Sequence, residues 1–426
     1  MSLPSAGRRA LVVGLGLSGL AVARFLVDRG VRVRVCDLRP PERLEEFLSR
    51  LPEGCETVLG GYDLAVLDGC EAVYASPGVP WDAELLREAR GRGVAVSSEM
   101  DLFFELCPAP IVGITGTNGK TTTTALVGRV LERGERPVMV GGNIGETVLD
   151  RLPSLTPEHW VVLELSSFQL ESVAEPRPHI GVVLNVTPDH LDRHHTMEAY
   201  AAAKARIVEF QGAVDWAVLN GRDRVCRQLA ERTRARVVWF DEHQPLPPMP
   251  IPGRHNLENA QAAAAVGRLA GLADDAIDDA IRRFPGVEHR LELVGEWGGV
   301  RWYNDSKATN PDAGLVALSA FEGQHLVLIA GGHGGGFELA EWVAEVRRRT
   351  AAVVLLGESA TELAEALEGL PLRRAGSLAE AVATAAELAR PGGVVLLSPA
   401  YKSFDMFDSY EDRGRQFKEL VRGRHG

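Results

Sequence analysis

The stretch that decides the fold is Thr115-Gly116-Thr117-Asn118-Gly119-Lys120-Thr121, which continues an apolar run, Pro110–Thr115, and leads into a segment of helical character. A glycine-rich turn between a strand and a helix exposes backbone amides that can hold phosphate oxygens. In such a loop Lys120 can reach the β- and γ-phosphates, and the Thr121 hydroxyl can bind Mg²⁺. Ile114 occupies the position of the usual first glycine. The sequence therefore predicts a variant phosphate-binding loop.

Three groups farther along the same segment are candidates for metal chemistry. Glu164 ends the apolar run Trp160–Glu164, where a parallel sheet presents carboxylates to Mg²⁺. His190 lies in the loop 185–192 after the next strand, and Lys204 lies in a helical run. Taken alone, a loop histidine and a helical lysine are more often solvated surface groups. Strand-like runs that alternate with alanine-rich runs predict a mostly parallel sheet covered by helices.

The N-terminal part carries a second glycine motif. Gly14-Leu15-Gly16-Leu17-Ser18-Gly19 follows a short strand, and the next strand ends at Asp37. This is the dinucleotide fingerprint, in which the glycines permit a tight turn and close phosphate approach and the acid contacts a ribose. The motif suits NAD, FAD or a UDP-sugar, or only a tight turn. By itself it leaves the ligand open.

The third part of the chain, from about Gly286, again alternates strand-like and helical segments. We therefore predict an α/β protein of three domains. The N-terminal domain (1–98) is expected to be Rossmann-like. The central domain (99–287) is expected to be of P-loop type, with a mostly parallel sheet and helices, and the C-terminal domain (288–426) to be a Rossmann-like α/β domain.

The amino-acid composition limits the classes of function that the protein can have. A net charge of −12 argues against a general nucleic-acid-binding protein. Neither a secretory signal nor an apolar run long enough to span a membrane is visible, so we expect a cytoplasmic protein with no membrane partner. Of the 46 lysine and arginine residues only five are lysines. Each remaining lysine is therefore a candidate for chemistry that a guanidinium cannot perform.

A resemblance to the Mur ligase family extends over essentially the whole chain. It is carried, in order, by TGTNGKT, GGNIG (141–145), LELSSFQL (163–170), NVTPDHLDRH (185–194), Lys204, GRHNLENA (253–260), HR (289–290), YNDSKATNP (303–311) and SPAYKSFDMF (398–407). Within the family, GLGLSG, LELSSFQL and NDSKATN most resemble members that join D-glutamate to UDP-N-acetylmuramoyl-L-alanine in peptidoglycan synthesis. The DNPR-type signature of the meso-diaminopimelate-adding members is absent from the sequence.

The resemblance implies roles residue by residue. The ATP-binding set would be Gly116, Thr117, Asn118, Gly119, Lys120, Thr121, Thr122, Asn256, Asn259, Arg290, Asp305 and Lys307. The UDP-sugar-binding set would be Leu17, Ser18, Asp37, Arg39, Ser76, Gly78, Asn143, Ser166 and His190. The D-glutamate-binding set would be Thr309, Lys402, Ser403 and Tyr410. The ligands of two Mg²⁺ ions would be Thr121, Glu164, His190 and a CO₂-derived carbamate on Lys204, and the catalytic set would be Lys120, Glu164, His190 and Lys204.

Two positions depart from the family pattern. Where relatives have a lysine for D-glutamate, this chain reads Gly331-Gly332-His333-Gly334-Gly335-Gly336. We hypothesise that Lys402 supplies the missing charge, with His333 as its rival. Leu38 stands where a hydroxyl residue contacts UDP in relatives.

The resemblance also implies the reaction and the assembly. A substrate carboxylate would attack ATP to give an acyl phosphate, which the amine of D-glutamate would then attack. We expect a monomer whose C-terminal domain closes over ATP. The alternatives are another Mur-type ligase, a folate polyglutamate ligase, a nicotinamide-dependent dehydrogenase suggested only by GLGLSG and Asp37, and a non-catalytic ATP-binding regulator.

Overall fold

The computed structural model describes residues 3–425 apart from 146, 241–244 and 336, and apart from the side chains of 192 and 425. Its strands form three sheets, and the predicted α/β class is confirmed. Gly336, the last residue of the glycine-rich sequence that begins at Gly331, lies outside the described residues. Within the described ranges, no helix combines the length and the apolar character needed to cross a membrane.

The N-terminal sheet follows the glycine fingerprint. Its strands are β1 (Arg9–Val13), β2 (Arg32–Asp37), β3 (Glu56–Leu59), β4 (Cys70–Ala75) and β5 (Ala95–Ser97). Its helices are α1 (Leu17–Val27), α2 (Glu45–Leu48), α3 (Glu84–Gly91) and α4 (Glu99–Leu106). The strands are all parallel in the order β3-β2-β1-β4-β5, with an apolar core on each face. This is the Rossmann-like arrangement that the sequence predicts.

The middle sheet carries the variant phosphate-binding loop. Its strands are β6 (Ile111–Thr115), β7 (Val138–Gly142), β8 (Trp160–Glu164), β9 (Ile180–Val183), β10 (Trp216–Asn220) and β11 (Arg236–Phe240). The helices of this part are α5 (Lys120–Leu131), α6 (Val148–Arg151), α7 (Ser167–Ser172), α8 (Leu191–His194), α9 (Met197–Glu209), α10 (Arg224–Leu229), α11 (Arg254–Leu269) and α12 (Asp274–Arg282). All pairs in the order β11-β10-β9-β6-β8-β7 are parallel. The phosphate loop thus follows a strand with neighbours on both sides.

The C-terminal sheet is mixed. Its strands are β12 (Glu292–Trp297), β13 (Val300–Asn304), β14 (Leu326–Ala330), β15 (Thr350–Leu355), β16 (Leu372–Arg374) and β17 (Val394–Leu397). Its helices are α13 (Pro311–Ser319), α14 (Ala340–Arg349), α15 (Ala360–Ala366), α16 (Leu378–Leu388) and α17 (Tyr410–His425). In the order β12-β13-β17-β14-β15-β16 only the pair β12 and β13 is antiparallel. The remaining pairs give the predicted Rossmann-like character.

Contacts divide the chain into two compact units. The first comprises Met1–Pro245 with Glu258–Asp278, and the second comprises Leu246–Leu257 with Asp279–Gly426. The first unit therefore contains the N-terminal and middle sheets, and the second contains the C-terminal sheet. The domain boundaries near residues 98 and 287 stay predictions.

The glycines of the N-terminal fingerprint have different physical roles. Gly14 adopts φ +89°, which a side chain would disfavour. A Cβ at Gly19 would overlap the Gly14 carbonyl oxygen, whereas a Cβ at Gly16 would meet no atom within 4 Å. Close packing of α1 on the turn thus depends on Gly19, whereas the space next to Gly16 is not occupied by other protein atoms.

We expect Gly19→Ala to lower the free energy of unfolding by roughly 1–3 kcal/mol, because the obstructing atom belongs to the backbone and must shift. Gly16→Ala is the matched control and should change stability by less than about 0.5 kcal/mol. Urea unfolding followed by circular dichroism would compare the two variants. Equal stabilities would contradict the close approach of α1 to the turn.

Candidate active site

A cavity of about 680 Å³ lies at the carboxyl ends of the N-terminal strands. Six predicted UDP-sugar residues line it together: Leu17, Ser18, Asp37, Arg39, Ser76 and Gly78. Leu17 is 52% exposed and Leu38 is 68% exposed, so two apolar side chains stand open at this site. Asn143, Ser166 and His190 are not among the lining residues. The cavity has the position at which such sheets bind nucleotides.

Asp37 is saturated by hydrogen bonds from the protein itself. Its Oδ2 accepts from the Leu15 amide (2.8 Å) and from Arg39 Nη2 (2.7 Å). Its Oδ1 accepts from the Arg39 amide (2.8 Å) and from Arg39 Nε (3.0 Å). Burial acts to raise the pKa of Asp37, but these hydrogen bonds outweigh it and hold the pKa below its ordinary value. Asp37 therefore orients Arg39 and the glycine turn, a role that the fingerprint alone does not reveal.

The phosphate-binding loop is clamped by the loop that follows β9. The Asn118 amide donates to Asn185 Oδ1 (2.8 Å), and Asn185 Nδ2 donates back to the Asn118 carbonyl (3.1 Å). Thr117 Oγ1 donates to the Thr187 carbonyl (3.1 Å) and accepts from the Thr187 amide (3.0 Å). These reciprocal pairs fix the loop before any ligand binds.

Gly119 connects this loop to helix α5. It caps α5 at φ +85°, and a Cβ there would overlap Asn259 Oδ1. The structure thus brings Asn259 against the phosphate loop. Thr121 and Thr122 lie in the first turn of α5, where backbone amides remain available to an anion.

Two of the five lysines meet at one carbonyl oxygen of this loop. Lys204 Nζ donates to the Gly116 carbonyl (2.8 Å), and Lys120 Nζ donates to the same oxygen (2.9 Å) and to the Thr117 carbonyl (2.7 Å). Lys204 is only 1% exposed. Burial, assisted by the charge of Lys120, lowers the pKa of Lys204 to about 7. A substantial fraction of this amine is therefore neutral and nucleophilic near neutral pH.

Glu164 lies on the strand next to the phosphate loop, in register with Ile114. It is 2% exposed, and its Oε1 accepts from Asn143 Nδ2 (3.1 Å). Its Oε2 is buried without a hydrogen-bond partner. Because a buried oxygen without a partner is costly, Oε2 fits a cation ligand.

His190 is the most open of the predicted metal ligands. Its side chain is 49% exposed, its Nε2 lies 3.5 Å from Asp189 Oδ2, and its ring centroid lies 5.1 Å from that of Phe168. Among the described residues, no group of three or more histidine, cysteine, aspartate or glutamate side chains is clustered for a metal. The residues present suit Mg²⁺, which takes few protein carboxylates and completes its shell with phosphates and water.

Ser166 and Asn256 are engaged in local structure. The Ser166 side chain accepts from the Gln169 amide (3.2 Å) and forms a capping box at the start of α7. Asn256, which is 3% exposed and belongs to the second compact unit, donates through Nδ2 to the Pro252 carbonyl (2.6 Å). The predicted contacts of Ser166 with the UDP-sugar and of Asn256 with ATP stay predictions.

The second unit gathers the predicted residues of the NDSKATN loop. Asp305 is buried and accepts from Ser398 Oγ (2.8 Å) and the Leu291 amide (3.1 Å). Burial raises the pKa of Asp305 to about 7, against the opposing effects of these hydrogen bonds and the Arg290 charge. Lys307 Nζ lies 5.7 Å from the centroid of the Tyr410 ring.

Sequence reasoning missed Arg413, a buried arginine that organises this loop. Its Nε donates to Ser306 Oγ (2.9 Å), and its Nη2 donates to the carbonyls of Ser306 (2.9 Å) and Tyr401 (3.1 Å). Its Nη1 donates to the Lys402 carbonyl (3.2 Å). Arg413 thus joins the NDSKATN and SPAYKS loops. Nothing in the local sequence pattern distinguishes it from the other arginines of α17.

The two rival cations for D-glutamate lie on paired segments. The His333 amide donates to the Lys402 carbonyl (2.8 Å) in an isolated antiparallel bridge. His333 Nδ1 lies 2.8 Å from Glu358 Oε2, whereas the Lys402 side chain is exposed. Ser403 beside it is buried, and Thr309 lies two residues beyond Lys307.

Three family models match the chain in order. They are the Mur ligase MurD-like N-terminal domain (residues 8–98), the Mur ligase middle domain (114–246) and the Mur ligase glutamate ligase domain (289–401).

Curated relatives match over nearly the full length. A UDP-N-acetylmuramoylalanine–D-glutamate ligase of Pelotomaculum thermopropionicum is 43% identical over 97% of each chain. One of Solibacter usitatus is 45% identical over 98% of each chain. Among solved structures, the UDP-N-acetylmuramate-alanine ligase MurC of Thermotoga maritima aligns with a TM-score of 0.58 at 20% identity, covering 98% of this chain and 99% of its own, which shows a shared fold.

The lowered pKa of Lys204 predicts a specific pH dependence of stability. Below about pH 7 the native state contains a buried ammonium; between pH 7 and 10.5 only the unfolded chain keeps that proton, so the stability of the native protein rises with pH. Lys204→Met has no such proton. Its stability relative to the unsubstituted protein should therefore fall by up to about 1.4 kcal/mol per pH unit above pH 7.5.

Urea unfolding from pH 6 to pH 9 in CO₂-free buffer measures this difference. Lys204→Arg stays protonated in both the native and the unfolded state, so its stability relative to the unsubstituted protein should fall with pH in the same way as that of Lys204→Met. A difference between Lys204→Met and the unsubstituted protein that does not change with pH would contradict the lowered pKa.

Proposed function

The chain belongs to the Mur ligase family of ATP-dependent, amide-bond-forming ligases, and we propose that it joins D-glutamate to UDP-N-acetylmuramoyl-L-alanine in peptidoglycan precursor synthesis. The observation that carries the proposal is the grouping of Lys120, Lys204 and Glu164 around the phosphate-binding loop. A dehydrogenase or a passive nucleotide-binding protein has no use for a buried amine and an unpartnered carboxylate oxygen at this place. We propose that the protein acts in the cytoplasm as a monomer.

Each residue near the loop has a proposed task toward ATP. The amides of Gly116–Thr122 hold phosphate oxygens, and Lys120 exchanges its two carbonyl acceptors for the β- and γ-phosphates. Thr121, Glu164, His190 and a carbamate on Lys204 hold two Mg²⁺ ions. Bound Mg²⁺ supplies positive charge that offsets the charge of the transferred phosphoryl group. Asn256, Asn259, Arg290, Asp305 and Lys307 complete the ATP contacts.

Formation of the proposed carbamate on Lys204 depends on the protonation state of its amine. A neutral amine can attack CO₂, and burial keeps a substantial fraction of Lys204 neutral near pH 7. The attack forms a nitrogen–carbon bond and releases one proton to solvent, so the product is an anion that would remove the repulsion between Lys204 and Lys120 and provide oxygen ligands for a cation. An arginine at this position would stay charged and could do neither.

The proposed chemistry has two steps. The carboxylate of the UDP-linked substrate attacks the γ-phosphorus, and ADP leaves with the formation of an acyl phosphate. The neutral amine of D-glutamate then attacks the acyl carbon, the carbon–oxygen bond to phosphate breaks, and the nitrogen loses one proton as the amide forms. The contribution of the protein is positioning and charge stabilisation, because the clamped loop and Lys120 need little rearrangement as negative charge shifts.

The cavity of the N-terminal sheet is the proposed UDP site. Arg39 is held by Asp37 with its guanidinium at the cavity wall, where it can offset phosphate charge. The exposed side chains of Leu17 and Leu38 offer apolar surface to a base. Ser18, Ser76, Gly78, Asn143, Ser166 and His190 complete the proposed sugar-nucleotide contacts.

Lys402 is the proposed cation for the side-chain carboxylate of D-glutamate, with Thr309, Ser403 and Tyr410 as its other contacts. Its side chain is exposed, while the imidazole of His333 is already paired with Glu358. Lys402 also adjoins Ser403, which the buried Arg413 helps to place through the Lys402 carbonyl. The positive charge for the carboxylate of D-glutamate is thus assigned to Lys402, whose side chain a substrate can reach.

Phosphate release from ATP tests the function. With UDP-N-acetylmuramoyl-L-alanine we expect release to require D-glutamate and to yield a product heavier by one glutamyl unit. L-Glutamate, meso-diaminopimelate and L-lysine are the comparison substrates. Release with one of these instead would identify a different Mur-type ligase, and no release with any pair would refute the ligase proposal.

Added bicarbonate provides the control for Lys204 in the same assay. The rate of the unsubstituted protein in CO₂-free buffer should rise with bicarbonate, and Lys204→Arg should remain inactive at every concentration.

Lys402→Ala should raise the KM for D-glutamate about tenfold or more, because a charge-assisted hydrogen bond to a carboxylate is lost. The KM values for ATP and for the sugar nucleotide should stay within about twofold. His333→Ala is the matched rival variant. An unchanged KM for Lys402→Ala together with a raised KM for His333→Ala would assign the charge to the histidine.

A further inference from the structure

Resting on the proposed function, we propose that Glu292 is a positioning residue for ATP binding: its carboxylate holds the turn 287–291 that presents Arg290, and Lys418 holds that carboxylate in place. Neither Glu292 nor Lys418 belongs to the predicted sets of site residues. Lys418 is also the one lysine of the five to which the proposed function assigns no task. Both residues lie in the second compact unit, as does Arg290.

The turn that carries Arg290 has an unusual backbone. His289 adopts φ +62° and Leu291 adopts φ +43°, so the residues on both sides of Arg290 lie in the left-handed region that side chains disfavour. Such a backbone persists only where the surrounding groups hold it. Arg290 itself is exposed. Its position therefore depends on the contacts that fix its two neighbours.

Two of these contacts come from the NDSKATN loop. The Leu291 amide donates to Asp305 Oδ1 (3.1 Å), and the Lys307 amide donates to the His289 carbonyl (3.0 Å). Asp305 and Lys307 belong, like Arg290, to the proposed ATP-binding set. The turn thus connects three proposed ATP contacts through backbone hydrogen bonds.

A further contact comes from Glu292, the first residue of β12. Its Oε2 accepts from the His289 amide (3.0 Å) and from Nδ2 of Asn304, its partner on β13 (3.1 Å). Asn304 Nδ2 also lies 3.0 Å from His289 Nδ1, and a Cβ at Gly414 of α17 would overlap that ring nitrogen. His289 is therefore held at its amide by Glu292 and at its ring by Asn304 and α17.

Lys418 fixes the other oxygen of the Glu292 carboxylate. Lys418 Nζ donates to Glu292 Oε1 (3.0 Å) and to Glu288 Oε1 (2.6 Å). The side chains of Lys418 and Glu292 are 11% and 14% exposed, whereas that of Glu288 is 62% exposed. Solvent therefore screens the pair of Lys418 with Glu292 less than the pair with Glu288. The carboxylate of Glu292 cannot turn away from the His289 amide without losing the contact with Lys418.

A double-mutant cycle on ATP affinity tests the inference. Isothermal titration of the full chain with ATP and Mg²⁺ should show that Glu292→Ala raises the Kd about fivefold or more, because the His289 amide loses a charged acceptor. Arg290→Ala should raise the Kd about tenfold. In the Arg290→Ala background, Glu292→Ala should add less than about twofold, because Glu292 then has no guanidinium to position.

Glu288→Ala is the matched control. It removes the exposed partner of Lys418 but leaves the acceptor of the His289 amide intact, so the Kd for ATP should stay within about twofold. Glu292→Gln keeps an acceptor oxygen of the same reach and should restore the Kd to within about threefold of the unsubstituted value. Glu292→Asp withdraws the carboxylate by one methylene and should raise the Kd more than about threefold, even if Glu292→Ala does not fold.

The outcomes are distinct. Additive effects of the two alanine substitutions would overturn the inference, because Glu292 would then act on ATP affinity independently of Arg290. An unchanged Kd in Arg290→Ala, in folded Glu292→Ala or in Glu292→Asp would overturn it as well. Phosphate release is measured separately, so a protein that binds ATP but lacks ligase activity would refute the proposed function and leave the result of the cycle standing. A protein that binds no ATP would overturn both.

Discussion

The candidate site depends on one carbonyl oxygen, that of Gly116, which accepts hydrogen bonds from both Lys120 and Lys204. The oxygen holds two ammonium groups close together, and their repulsion adds to the burial that depresses the pKa of Lys204. Gly116 itself has no room for a side chain, because a Cβ would crowd Leu184. Phosphates that bind to Lys120 therefore meet a loop in which the second amine, that of Lys204, is partly neutral near pH 7.

The parallel sheets explain why these groups meet. The phosphate loop follows β6, Glu164 ends the neighbouring β8, and the clamping Asn185 follows β9 on the other side. The carboxyl ends of parallel strands lie at one edge, so groups separated by many residues become neighbours. The N-terminal sheet has the same arrangement, because its cavity lies at the carboxyl ends of β1, β2 and β4.

The sequence predicted the interior strands β1, β2, β6 and β8 and none of the strands at the edges of the three sheets. The missed strands are β3 and β5, β7 and β11, and β12 and β16, which are the outermost pairs of the three sheets. Interior strands such as β6 and β8 are buried along their whole length and read as continuous apolar runs. An edge strand such as β3 or β16 is partly exposed and carries charged residues, so its sequence resembles that of a loop.

The residues of the candidate site also fall into two groups, those that the sequence predicted and those that it did not. Glycine loops and strand-end acids are local in sequence and were predicted, whereas Arg413 acts through contacts between distant segments and was not. Arg413 also bears on the cation that the proposed D-glutamate site requires. It is 1% exposed, and its donors are directed to Ser306 and to the carbonyls of Tyr401 and Lys402. It therefore shapes the loop without being open to a carboxylate, and Lys402 on that loop is better placed to supply the charge.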